Sequence, residues 1–155
     1  MGEVIRGPCL ADLLVQPAAV EATLRGLAVD DALRGVVERA SAGGYRRIVL
    51  TGMGSSLHAL HPLAIRLASR GAIVIDASEL IHAQSALIDA TTLVVAVSQS
   101  GRSAEIVRLL ERAKPGAFVG VTNTAGSPLA TAATAALVTQ AGDEATVSCK
   151  TYVAG

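Results

Sequence analysis

Apolar positions follow two alternating arrangements along the chain: a spacing of three and four, and short unbroken runs. Residues 18–42, rich in Ala, Leu, Glu and Arg, keep the helical spacing. Pro17 suits a first helical turn, Gly26, Val29 and Asp30 divide the region into two helices, and Gly43-Gly44 ends it. Residues 1–16 form a weaker amphipathic start. The period then changes. Apolar runs at 47–51, 72–76, 92–97, 117–122 and 135–139 predict five strands. Between them, helical spacing resumes at 57–69 before Gly71, a polar and partly helical link covers 78–87, an amphipathic helix spans 104–113, and Ser127-Pro128 opens a short helix.

Strands of continuous Val, Ile and Leu that alternate with helices belong to a parallel sheet covered on both faces. The pattern predicts the α/β class: a doubly wound, five-stranded parallel sheet in a three-layer α/β/α sandwich. The chain of 155 residues is 51% hydrophobic, enough for one domain with a substantial core. No apolar run approaches the ~20 residues of a membrane span, so no membrane partner is expected. The start, with Glu3, Arg6 and Pro8, lacks the apolar block of a secretory leader, which makes the cytoplasm the expected location.

Charge narrows the partners. Lys plus Arg and Asp plus Glu both number 13, and the charges are scattered rather than gathered into a basic stripe. Nucleic acid is therefore not an expected partner. Phe118, Tyr45 and Tyr152 are the only aromatic residues, too few for platforms that stack bases or flavins, so a small polar ligand fits better. Cys9 and Cys149 form no metal-spaced or CxxC pattern and read as reduced and structural.

Two Ser-rich turns carry the candidate chemistry. Ser98-Gln99-Ser100-Gly101-Arg102-Ser103 joins the third strand to an amphipathic helix, and Gly52-Met53-Gly54-Ser55-Ser56 follows the first strand. Ligands of such sheets bind beyond the carboxyl ends of the strands, where both turns fall. Hydroxyls and N–H groups at a helix start attract an anion, most simply a phosphate. An ordinary connection with a Ser cap accounts for one Ser of the later turn. Three Ser and a Gln in six residues exceed what one cap requires.

Other motifs compete. Gly52-Met53-Gly54 with Asp76 at the end of the second strand suggests a dinucleotide fingerprint, but Leu57 occupies the third glycine position. No Walker motif is present. His58 and His61 lie one helical turn apart without an acid to complete a metal set, so no metal is expected. Glu79 reads as a capping-box acid or as a group at the functional rim. Glu144 and Lys150 are candidates for proton transfer or for solvated surface charges.

These residues together resemble the sugar isomerase (SIS) domain family, specifically the first of the paired SIS domains in the isomerase half of glucosamine-6-phosphate synthase and its relatives. The likeness rests on Gln16-Pro17, Gly54-Ser55-Ser56, Ala77-Ser78-Glu79, Ser98-Gln99-Ser100-Gly101, Thr122-Asn123 with Ser127-Pro128-Leu129, and the tail 144–152. Ser-Gln-Ser-Gly is its specific part. Arg102-Ser103 stands where the family often has Glu-Thr, and the spacing from Glu144 to Lys150 is one residue shorter than in the synthase. The resemblance implies a flavodoxin-like fold with a helical lead-in at 1–42 packed on an SIS domain at 43–155. It implies a phosphate held by Ser56, Ser98, Gln99, Ser100 and Ser103, with Ser55 and the backbone near Val147 and Ser148 facing the sugar. The implied ligand is a phosphorylated hexose or amino sugar, with no cofactor. It implies work as part of an aldose–ketose isomerase or amino-sugar-phosphate deaminase/isomerase, in which the proton-moving base lies on a second SIS repeat. A non-catalytic phosphosugar sensor is the alternative, and a homo-oligomer or a second SIS domain is the expected partner.

Overall fold

The computed structural model describes residues 7–144 and 149–155. Three helices lead in: α1 (Pro8–Leu14), α2 (Gln16–Gly26) and α3 (Asp31–Ser41). Pro17 sits in the first turn of α2, where a missing N–H costs nothing. The Asp30 carboxylate caps α3 by accepting from the Leu33 N–H at 2.7 Å, and Arg70 binds the carbonyls of Ala40 and Ser41 at its far end. Cys9, expected to be structural, is a free thiol exposed on α1.

The five strands β1 (Arg47–Gly52), β2 (Ile73–Asp76), β3 (Thr92–Val97), β4 (Ala117–Thr122) and β5 (Ala135–Val138) form one sheet in the order β2-β1-β3-β4-β5, every pair parallel. This is the flavodoxin-like winding; the dinucleotide-binding order begins 3-2-1 instead. Strand pleating sorts the side chains into two cores. Leu33, Val36, Ile48, Leu50, Leu93, Val95 and Val119 fill the layer under α3, while Val49, Val94, Ala96, Ile106, Leu109 and Leu129 fill the opposite layer. That second layer is roofed by α6 (Ala77–His82), α7 (Ala104–Arg112) and α8 (Pro128–Ala132).

One expectation is corrected. The helical spacing at 57–69 does not form a single helix but breaks into α4 (Ser55–His58), α5 (His61–Arg66) and a 3₁₀ turn over Ala68–Arg70. Pro62 has no N–H to offer the His58 carbonyl, and the His61 imidazole takes that carbonyl at 3.0 Å. Asp76, not Glu79, supplies the side-chain cap of α6 by accepting from the Ser78 N–H at 2.8 Å. Glu79 instead accepts from the Gln84 amide at 2.6 Å. A last helix, α9 (Cys149–Ala154), packs on α1 and α2. Among the described residues no helix is long and apolar enough to cross a membrane.

Candidate functional site

In the winding 2-1-3-4-5 the chain leaves β1 toward one edge of the sheet and returns to β3 before moving toward the other, so a crevice opens between the carboxyl ends of β1 and β3. Both Ser-rich turns lie there. Gly52 pairs with Val97, and a side chain on Gly52 would meet the Val97 carbonyl oxygen at 2.9 Å, so only glycine lets the two turns approach this closely. Gly54 follows with φ +53°, a left-handed conformation that glycine adopts without strain, and reverses the chain into α4.

The Ser98 turn is built from its own hydroxyls. The buried Ser98 Oγ accepts from the Gly101 N–H at 3.2 Å, and Ser100 Oγ accepts from the Arg102 N–H at 3.2 Å. Each hydroxyl thereby uses one lone pair for the turn and keeps its O–H as a donor. Ser98 Oγ lies 3.5 Å from Ser103 Oγ. Ser103 is the N-cap residue of α7, yet its side chain makes no capping bond. The hydroxyl and the N–H groups of the helix start remain for another acceptor.

Neighbouring elements brace this turn. The Gln99 carbonyl accepts from the Asn123 N–H at 3.0 Å and from the buried Thr122 hydroxyl at 3.1 Å, and the Gly101 carbonyl accepts from the Leu129 N–H at 3.2 Å. Ser127, the fully buried cap of α8, sits under Gly101 and accepts from the Ala130 N–H. Arg102 is exposed and reaches the Gly126 carbonyl at 3.3 Å, so its cation points along the surface toward the next turn. Ser55, Ser56, Ala59, Val97, Gln99, Thr151 and Tyr152 line one narrow cleft beside it.

Residues 44–154 match the family described as the SIS domain. The chain belongs to the SIS domain family. It is 36% identical over 149 residues to the glutamine–fructose-6-phosphate aminotransferase (isomerizing) of Thermococcus kodakarensis, a match covering 92% of this chain and 24% of that protein. It is 37% identical over 106 residues to the arabinose 5-phosphate isomerase KdsD of Pseudomonas aeruginosa, covering 66% of this chain and 32% of that one. The SIS domain thus spans about a quarter to a third of the length of these curated relatives. Its fold matches the C-terminal domain of glucosamine-fructose-6-phosphate aminotransferase from Francisella tularensis with TM-score 0.76 at 22% identity, over 96% of this chain and 44% of that structure.

Within this SIS domain the structure brings Ser55, Ser56 and Gln99 to one cleft, and Ser98, Ser100 and Ser103 to the turn beside it. Val147 and Ser148 lie outside the described residues. The two candidates for proton transfer have structural partners. Glu144 accepts from the N–H groups of Lys150 at 2.7 Å and Thr151 at 3.3 Å and from the Thr151 hydroxyl, which caps α9. Lys150 is buried and paired with Asp12. Sequence reasoning had not singled out Thr151 and Tyr152 as cleft residues, because nothing in the tail shows that α9 returns to the rim.

Proposed function

We propose that this SIS domain binds a phosphorylated hexose or amino sugar, with the phosphate held by Ser98, Gln99, Ser100 and Ser103 of the later turn and Ser56 of the first, and the sugar directed toward Ser55. The observation that carries the reading is the hydroxyl of Ser103, which caps nothing at the start of α7 and meets the Ser98 hydroxyl only in a long 3.5 Å hydrogen bond. Hydroxyls and main-chain amides at a helix start hold a dianion by charge-assisted hydrogen bonds without a Lys or Arg. The names of the relatives, one acting on fructose 6-phosphate and one on arabinose 5-phosphate, support the same ligand class.

Among the described residues that line the cleft are hydroxyls and an amide, with no carboxylate or imidazole. Moving a proton between adjacent sugar carbons needs such a group in reach. The domain therefore serves as the phosphosugar-holding part of an aldose–ketose isomerase or amino-sugar-phosphate deaminase/isomerase, completed by a second SIS domain or a second copy in the cytoplasm. Support for a partner comes from the apolar side chains left on the surface of the lead-in and α9, among them Leu14 at 72% and Leu24 at 71% exposed, with Tyr152 and Val153 nearly half exposed.

Titration calorimetry with fructose 6-phosphate or glucosamine 6-phosphate tests the reading. A hydrogen bond to a charged group contributes about 1.5–3 kcal/mol, so Ser103→Ala is expected to weaken binding by about 10- to 100-fold. Because Ser103 caps nothing and its bond to the Ser98 hydroxyl is long, its melting temperature is expected to fall by no more than a few degrees. Absence of binding heat for any hexose phosphate, or a Ser103→Ala variant that binds as wild type, refutes the assignment.

A further inference from the structure

The end of the sheet opposite the Ser-rich turns carries a second cavity. Because α6 starts at the carboxyl end of β2 and α7 starts after the Ser98 turn, both helices run back along the sheet toward the amino ends of the strands. The Gly116 N–H, just past α7, donates to the carbonyl of Thr92, the first residue of β3, at 2.9 Å. A groove of about 390 Å³ opens there between the two helices, the 3₁₀ turn Ser85–Leu87 and the segment leading to β4. That volume falls within the roughly 300–1,000 Å³ of small-molecule sites. Leu80 and Leu109, at 0% and 2% exposure, are buried at its base, and the half-buried Ile81 and Ile88 flank them.

The mouth of this groove is cationic. Arg112 and Lys114 line it, both exposed, and among the described residues neither has a carboxylate partner. Glu111, the acid beside Arg112 in sequence, lines a different groove, between α7 and α8. No acid and no aromatic ring is found among the described residues that line the cavity. A cation in the last turn of a helix complements its carbonyl end, which accounts for Arg112 but not for a second cation on the same opening. Like charges on one opening repel, and an anion held by both turns that repulsion into attraction. Above a base of Leu and Ile, the two cations select a ligand with a charged head and an aliphatic body.

We propose that this groove binds a medium-chain aliphatic anion, its head group held by Arg112 and Lys114 and its chain laid over Leu80, Ile81, Ile88 and Leu109. The proposal is independent of the phosphosugar reading, since the groove and the Ser-rich turns lie at opposite ends of the strands. Each methylene group that enters the groove tightens binding by up to about fourfold. A head group without a chain, or a chain without a charge, uses only half of the site.

The test is titration of the whole chain with octanoate, followed by calorimetry and by the NMR shifts of backbone amides, with butanoate, octanol and inorganic sulfate as controls. Octanoate is expected to shift the amides of residues 80–88 and 109–114 and to bind at least tenfold more tightly than any of the three controls. Arg112→Gln with Lys114→Gln is expected to weaken octanoate at least tenfold and to leave octanol within twofold. Both side chains are exposed, so the melting temperature of that variant stays within about 2 °C of wild type. Ser85→Trp, at an exposed position on the lining, fills the groove without touching either charge and is expected to weaken octanoate and octanol alike. Octanoate that does not bind, that shifts the amides around the exposed Leu14 and Leu24 instead, or that binds the double variant as it binds wild type overturns the proposal. So does an octanoate affinity that falls as protein concentration rises, because a second copy of the chain then covers the groove.

Discussion

Gly101→Ala probes the geometry on which the proposed phosphate site depends. Gly101 has φ +61°, and an added Cβ would lie 2.2 Å from Ser127 Oγ, 2.5 Å from Ser127 Cβ and 2.9 Å from Thr122 Oγ1. The left-handed conformation costs an L-residue about 1–2 kcal/mol. Forcing a methyl group against a fully buried Ser127 adds roughly 1–3 kcal/mol. The sum, about 2–5 kcal/mol, lowers the melting temperature by about 10 °C at its midpoint, given roughly 2–4 °C per kcal/mol for a domain of this size. The assay is thermal and urea unfolding of Gly101→Ala, Ser127→Gly and the double variant. Ser127→Gly removes the two closest clashing atoms and, as a glycine cap, costs only a few tenths of a kcal/mol by itself. The double variant is therefore expected to be more stable than the sum of the single changes by about 1–3 kcal/mol. A stable Gly101→Ala protein, or strictly additive variants, would refute the claim that Ser127 supports the turn from beneath.

Two further outcomes are expected. Lys150→Met alone removes the buried cation of the pair and should destabilise the domain by about 3–5 kcal/mol in urea titrations, whereas Lys150→Met with Asp12→Leu recovers most of that loss; equal destabilisation of the two proteins contradicts the buried pair. At Asp89 the Thr91 hydroxyl and N–H, donating at 2.6 and 2.7 Å, hold the carboxyl below the usual carboxylate range, with smaller help from the Thr92 hydroxyl and the Arg46 guanidinium. A depressed native value means that the unfolded chain takes up the proton first as pH falls, so this stabilisation is complete above about pH 4 and fades below it. Asp89→Asn should lack that part of the acid-induced loss, and identical stability profiles for variant and wild type between pH 5 and 2.5 would count against it.

The turn chemistry of the rim was legible before any coordinates, because glycine and hydroxyl side chains declare local backbone geometry. Pro17 in a first turn and Ser127 before Pro128 act within four residues of themselves, as does Asp30, which the sequence marked only as a break and the structure shows to be a cap. The break at Pro62 was equally local, but the helical spacing of Leu60, Leu63, Ala64 and Leu67 concealed it; Leu60, Ala64 and Leu67 face the core whether or not the backbone bonds are continuous, while Leu63 is exposed.

From sequence alone came the five apolar strands, their alternation with helices and the placement of two Ser-rich turns at strand ends, since each depends on spacing within a short window. Tertiary structure decided which strands are neighbours, and only the order 2-1-3-4-5 brings residues 52–56 and 97–103 to one crevice. It also decided the meaning of the charges. Asp12 and Lys150 are separated by most of the chain, and nothing local marks them as partners. Folding removes both from water, and in that environment the electrostatic cost of either charge alone makes the other its necessary companion.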